Sequence, residues 1–89
     1  MALIDGDHAK SILEEETQLH WSLIKDNPDY IRLTAISFEV VIEYVDEAYR
    51  FQFSDAASSK GDSKLGPVKH DIEAEFRSFV ERSRSVHIN

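Results

Sequence analysis

The chain has 89 residues, no cysteine and a net charge of −7, which together predict one small domain without disulfides or thiolate chemistry. The negative charge argues against direct nucleic-acid binding, because carboxylates repel phosphates, and no apolar run approaches the roughly 20 residues of a membrane span. The lack of cysteine favours a reducing compartment and the first residues lack a signal-peptide pattern, so we expect a cytoplasmic protein.

The first predicted element is a helix over about residues 7–26. Asp5 and Asp7 are suitable N-cap residues, and Pro28 disfavours helical backbone at the residue before it. At about 100° per residue, one broad arc of this helix carries most of its apolar side chains. These are Ala9, Ile12, Leu13, Leu19, Leu23 and Ile24.

The second predicted element is an antiparallel β-hairpin over about residues 35–54. Both halves alternate between apolar and polar residues and are rich in β-branched and aromatic side chains. With a tight turn at Asp46 and Glu47, the residue numbers of each cross-strand pair add up to 93. That register pairs Tyr44 with Tyr49, Ile42 with Phe51, Val40 with Phe53, and Glu43 with Arg50. A type I′ turn prefers glycine at its second position, so a four-residue loop from Val45 to Ala48 is the alternative.

Residues 54–66 predict a mobile loop, because they are rich in serine, glycine and aspartate and lack apolar periodicity. A second helix is predicted over about residues 67–85, with Pro67 at its first position. Acidic residues crowd its start and arginines its end, which complements the helix dipole. Its apolar stripe consists of Val68, Ile72, Phe76, Phe79 and Val80.

These elements predict a small single α+β domain with the order α-β-β-α, in which both helices pack on the hairpin. A two-stranded hairpin is marginal alone and leaves two open edges. We expect an open edge to be paired in one of three ways: by a third strand from residues 30–34, by a third strand from the tail at 85–88, or by a second chain in a homodimer.

Glu16 and His20 are the sharpest candidates for chemistry. They lie one turn apart on the predicted first helix, and a carboxylate beside a histidine suits a general base or a metal site. A metal site needs three or four ligands, and neither His8 nor His70 completes a recognised spacing. We therefore predict a packing role for this pair, no catalytic residue, no metal ligand and no cofactor.

The acidic residues give the strongest indication of function. Residues 1–47 hold eleven acids against three bases, and this charge would attract a basic protein and speed its capture. Acids on the helix and the hairpin form a patch if they share one side, with aromatic residues as anchors at its margin. The candidate partner-binding residues are Glu14, Glu15, Glu39, Glu43, Asp46, Glu47, Trp21, Tyr44 and Tyr49.

The first functional hypothesis is a non-enzymatic module that docks a basic protein partner, similar in size and composition to small inhibitor, immunity and antitoxin proteins. The second is a structural or assembly subunit that forms homo-oligomers through strand edges. The third is a small enzyme or metal protein that uses Glu16 and His20.

Overall fold

Two helices flank a five-stranded antiparallel sheet along the chain. The structure is a computed structural model that describes residues 4–67 and 71–88. The elements are α1 (Gly6–Thr17), β1 (Ser22–Asn27), β2 (Tyr30–Ala35), β3 (Phe38–Val45), β4 (Ala48–Asp55), β5 (Lys60–Pro67) and α2 (Ile72–His87). The strands lie side by side in chain order, from β1 to β5. The α+β class is confirmed, but the sheet has five strands where the sequence predicted a hairpin.

The predicted hairpin is confirmed residue by residue as β3 and β4. Tyr44 pairs with Tyr49 and Glu43 with Arg50, and the register extends unbroken from Phe38 to Asp55. The two-residue turn is also as predicted. Asp46 and Glu47 have φ of 52° and 63°, the positive values that a type I′ turn requires at both central positions. The four-residue loop is therefore not needed.

The predicted first helix is too long, because α1 ends at Thr17. Gln18 adopts a left-handed backbone with φ of 62°, and its side-chain amide donates to the carbonyl of Glu15. The chain then enters β1, where a bulge between Leu23 and Lys25 interrupts the pairing with β2. The apolar residues of β1 extended the helical pattern by coincidence.

The third strand is confirmed at β2, which pairs with β3 from Tyr30 to Ala35. Ile31 and Leu33 face the core, as the alternation of burial along this strand shows. The tail is not a strand, because α2 continues to His87.

The prediction of a mobile loop at residues 54–66 is wrong. Only residues 56–59 form a turn, and residues 60–67 are β5, which pairs with β4 along its whole length. The polar composition is that of an edge strand, which pairs through its backbone and needs no apolar side chains. Pro67 ends β5, so the second helix begins later than predicted, at Ile72, with Asp71 as its N-cap. Val68 of the predicted stripe lies outside the described residues.

The core lies between the helices and one face of the sheet, here called the inner face. Ala9, Ile12 and Leu13 of α1 are buried there, as are Phe76 and Phe79 of α2. The sheet contributes Ile31, Leu33, Val40, Ile42, Tyr49, Phe51 and Phe53. No described helix or strand covers the opposite, outer face, so the domain has two layers.

Candidate functional site

The two hairpin glutamates of the predicted acidic patch lie on the outer face of the sheet. Glu39 and Glu43 alternate along β3 with Val40 and Ile42, which face the core. Arg32 of β2 holds Glu39 with its Nη2 2.6 Å from Oε2. Arg50 lies directly across from Glu43, at 4.0 Å. Both carboxylates therefore have a basic partner within the chain.

The two helical glutamates lie on the other side of the sheet. Glu14 accepts a hydrogen bond from the backbone N–H of Trp21 at 3.1 Å, and Nδ1 of His20 lies 3.2 Å from the same carboxylate. Glu15 binds Nη1 of Arg77 on α2 at 2.9 Å. The sheet thus separates Glu14 and Glu15 from the hairpin glutamates, and the four do not share one surface.

Two of the three predicted aromatic anchors are in the core. Trp21 is fully buried, and its indole N–H donates to Oγ1 of Thr17 at 2.8 Å. Tyr49 is 2% exposed because its ring lies over Gly66 on β5, where an added Cβ would stand 3.1 Å from the tyrosine oxygen. Only Tyr44 is half-exposed. Trp21 and Tyr49 are therefore structural residues and cannot anchor a partner.

Glu16 and His20 do not form a pair. The helix ends between them at Thr17, and His20 projects into solvent with its side chain 84% exposed. Glu16 instead lies 3.5 Å from Arg77. Within residues 4–67 and 71–88, no group of three histidine, aspartate or glutamate side chains is placed to hold a metal ion.

The structure does gather acidic side chains at one end of the sheet. In an antiparallel meander, alternate turns lie at the same end, so the β1–β2 and β3–β4 turns are neighbours. The backbone N–H of Tyr44 donates to the carbonyl of Asp29 at 3.0 Å and ties the two turns together. Helix α1 also begins here, since the carboxylate of Asp26 lies against Gly6. The acidic end, as we call it, comprises Asp5, Asp7, Asp26, Asp29, Asp46 and Glu47.

The carboxylates of the acidic end are exposed and have no basic partner in the part of the chain that the structure describes. All six residues are solvent-exposed, and none makes an ion pair with a described residue. Of the predicted site residues, Asp46 and Glu47 belong to this group. Sequence reasoning missed Asp26 and Asp29 because it placed residue 26 at the end of a helix. The run Asp26-Asn27-Pro28-Asp29 is itself a turn signal that an earlier helix end would have made visible.

A small apolar hollow of about 190 Å³ adjoins the β3–β4 turn. Val45 and Ala48 flank the turn, and Leu65 of β5 completes the apolar wall. Val45 is 59% and Leu65 72% exposed. Glu43 and Arg50 form the polar part of the lining. The hollow thus places exposed apolar surface directly beside unpaired carboxylates.

The opposite end of the sheet, here called the closed end, is formed by the turns at residues 36–37 and 56–59. It borders a wider, open hollow of about 580 Å³. Two carboxylates line this hollow. Glu39 binds Arg32, and Asp55 is surrounded by donors of its own chain: Ser37 Oγ at 2.8 Å, the N–H of Ala57 at 3.0 Å and Ser58 Oγ at 3.1 Å. The hydrogen bond from Ser37, above all, lowers the pKa of Asp55 below its ordinary value of 3.8. In the larger hollow, the carboxylate of Asp55 therefore already accepts three hydrogen bonds from its own chain.

Comparison with known proteins found no family model, no curated protein and no solved structure that matches the chain. Neither of the two described helices is long and apolar enough to span a bilayer.

Proposed function

We propose that the chain is a non-enzymatic binding module that docks a basic protein partner at its acidic end. The observation that carries the proposal is the convergence on one end of the sheet of six exposed carboxylates from three chain segments, none of which makes an ion pair with a described residue. Such a field raises the rate of encounter with a positively charged surface. The lack of cysteine favours the reducing cytoplasm as the place of action.

The apolar hollow supplies the second element that a protein interface needs. Interfaces combine an apolar centre with a polar rim, and charge alone contributes mostly to encounter rate and specificity. Val45 and Leu65 offer the apolar surface, while Asp46 and Glu47 rim it. A lysine or arginine fits such a surface, because its aliphatic stem packs on apolar groups and its head reaches a carboxylate. The mode of action is occlusion of the partner's basic surface, as an inhibitor or immunity protein would achieve.

The rigidity of the turn favours a preformed site. Asp46 and Glu47 belong to a two-residue turn between strands that pair along their whole length, so their carboxylates start from a fixed backbone. A preorganised surface loses less conformational entropy on binding than a flexible loop does.

The test compares two variants that each remove three negative charges. Asp29→Asn, Asp46→Asn and Glu47→Gln together neutralise the acidic end, whereas a matched control neutralises Glu15, Glu39 and Glu81 elsewhere. Each immobilised protein is incubated with native lysate, and a captured basic protein is purified and titrated by calorimetry. We expect the acidic-end variant to lose affinity at least tenfold, which is about 1.4 kcal/mol, and the control to retain it.

Ionic strength provides the second readout. Raising salt from about 0.1 M to about 1 M shortens the Debye length from about 10 Å to about 3 Å, so binding should weaken strongly. Binding that survives high salt, or that the control variant loses as much as the acidic-end variant does, would contradict the proposal.

A further inference from the structure

Strand β5 leaves one edge of the sheet open. It is last in the strand order, and all eight of its residues pair with β4 without a bulge. No backbone hydrogen bond from a described residue reaches β5 from the side away from β4. Such a regular, unpaired edge is a ready template for another strand.

The other edge of the sheet is protected. The bulge between Leu23 and Lys25 breaks the regular pattern of β1, and Pro28 follows directly after the strand. Bulges and prolines are among the devices that keep edge strands from pairing. Pro67 likewise ends β5, so the difference between the two edges is the bulge. Of the two edge strands, β5 is the one that pairs regularly along its whole length and can extend the sheet.

The sequence of β5 is complementary to a second copy of itself. Residues that face each other across antiparallel strands point to the same side of the sheet, so a twofold axis between two copies must pass through a residue. An axis through Asp62 sets two aspartates opposite each other, and an axis through Lys64 sets two lysines opposite each other. An axis through Ser63 sets Asp62 of each copy opposite Lys64 of the other and overlaps the strands from Lys60 to Gly66. Opposite charges at directly facing positions are the favourable arrangement.

The side chains around β5 fit this register. On the inner face, Asp62 already lies 3.0 Å from His87, and Lys64 lies 2.7 Å from Glu75. Across the axis, Lys64 of one copy, bound to its own Glu75, would meet Asp62 of the other copy, which lies against its own His87. On the outer face, the 72%-exposed Leu65 would lie opposite a glycine, Gly61, which leaves room for it.

We infer that the β5 edge is a homodimer interface, in which two copies pair antiparallel about Ser63 and join their five-stranded sheets into one. The arrangement sends the two acidic ends in opposite directions, because the paired strands run antiparallel. It therefore keeps the two most negative regions apart, although Leu65, which also lines the apolar hollow, would contact the second copy. The inference rests on β5 alone and stands independently of the proposed function.

The first experiment measures mass by light scattering against concentration. We expect the wild-type chain to approach twice its 10.2 kDa mass, and Ser63→Lys to remain monomeric because two like charges then meet at the axis. The matched control is Ser22→Lys, an exposed outer-face serine on β1, which should dimerise like wild type. Circular dichroism verifies that both variants are folded. A wild-type chain that stays monomeric up to about 1 mM, where binding is worth only about 4 kcal/mol, would overturn the inference.

The second experiment tests the register. Ser63→Cys introduces a single thiol into a chain without cysteine, and self-opposed residues in antiparallel strands have Cα atoms about 4.5–5.5 Å apart, within disulfide range. We expect Ser63→Cys to form a disulfide-linked dimer at least tenfold faster than Ser22→Cys under the same mild oxidation. Equal rates, or faster linkage through Ser22→Cys, would show that the copies do not meet at β5.

Discussion

The carboxylates at the two ends of the sheet have opposite environments. At the closed end, Asp55 is 9% exposed and receives hydrogen bonds from two serine hydroxyls and a backbone N–H. At the acidic end, six carboxylates are exposed and none has a basic partner among the described residues. A carboxylate that accepts several hydrogen bonds from its own chain stabilises the fold. Exposed carboxylates without a basic partner among the described residues remain available to a binding partner.

Backbone conformation does not distinguish the two ends. Ile36 at the closed end and Glu47 at the acidic end both have left-handed backbone, with φ of 56° and 63°. Neither is a glycine, so each turn carries steric strain. The functional difference between the ends therefore lies in their side chains, and the predictions below separate side-chain effects from backbone effects.

The largest effect is expected for Trp21→Ala, which removes the packing that underlies the closed end. Trp21 is fully buried, edge-on to Phe53 at 6.2 Å, where α1 gives way to β1. Truncating a buried aromatic residue costs about 3–5 kcal/mol, and urea unfolding followed by circular dichroism measures it. The control is Val86→Ala, because Val86 is 61% exposed and should change stability by less than about 0.5 kcal/mol. A loss below about 1 kcal/mol would show that the packing of the Trp21 ring does not stabilise the fold.

The next effect is expected for Ser37→Ala, which removes one of the donors to Asp55. The loss of a typical hydrogen bond lowers the free energy of unfolding by about 0.5–1.5 kcal/mol. The pH dependence identifies the cause. Because the folded-state pKa of Asp55 lies below 3.8, its contribution to stability is fully present above that value and is lost as the pH falls through the lowered pKa.

In Ser37→Ala the pKa of Asp55 should rise, so that acid destabilisation begins at a higher pH than in wild type. Urea unfolding at a series of pH values between about 2 and 5 follows this loss of native stability. Asp46→Asn at the acidic end is the matched control. It should leave the fall of the free energy of unfolding at acid pH unchanged. An unchanged fall in Ser37→Ala would mean that Ser37 does not stabilise the charged form of Asp55.

A smaller effect of opposite sign is expected for Glu47→Gly. A left-handed residue with a side chain costs about 1–2 kcal/mol, and the greater freedom of glycine in the unfolded chain offsets about 0.4–1 kcal/mol of the relief. We therefore expect a net stabilisation of about 0.5–1 kcal/mol in urea unfolding. Ile36→Gly tests the same backbone effect at the closed end, since Ile36 is 87% exposed and loses no packing. Destabilisation by both changes would argue against strain in these turns.

The hairpin could be predicted to single-residue register, because alternation and cross-strand pairing act locally and agree with each other. Tyr44 opposite Tyr49 and Glu43 opposite Arg50 are consequences of that local pattern. The end of α1 could not be predicted, because Leu19, Leu23 and Ile24 continue the helical period by coincidence. What stops the helix is the left-handed Gln18 and the hydrogen bond from the Trp21 indole to Thr17.

Strand β5 and the candidate site were missed for a related reason. An edge strand is specified by the backbone groups of its neighbour, and Asp62, Ser63 and Lys64 carry no apolar signal. The acidic end depends on which turns share one end of the sheet, and that depends on the number of strands. With β1 and β5 absent from the prediction, Asp26 and Asp29 could not be placed beside Asp46 and Glu47.

The smallest effect on stability is expected for the variant that carries Asp29→Asn, Asp46→Asn and Glu47→Gln. None of these side chains has an ion-pair partner among residues 4–67 and 71–88, so their neutral forms should change the free energy of unfolding by less than about 0.5 kcal/mol. Any change should be stabilising at low salt, because like charges repel one another, and should disappear at about 1 M salt. Urea unfolding at both ionic strengths decides the matter. A loss of more than about 1 kcal/mol would show that these carboxylates support the fold as Asp55 does, and the acidic end would lose its distinction as a binding surface.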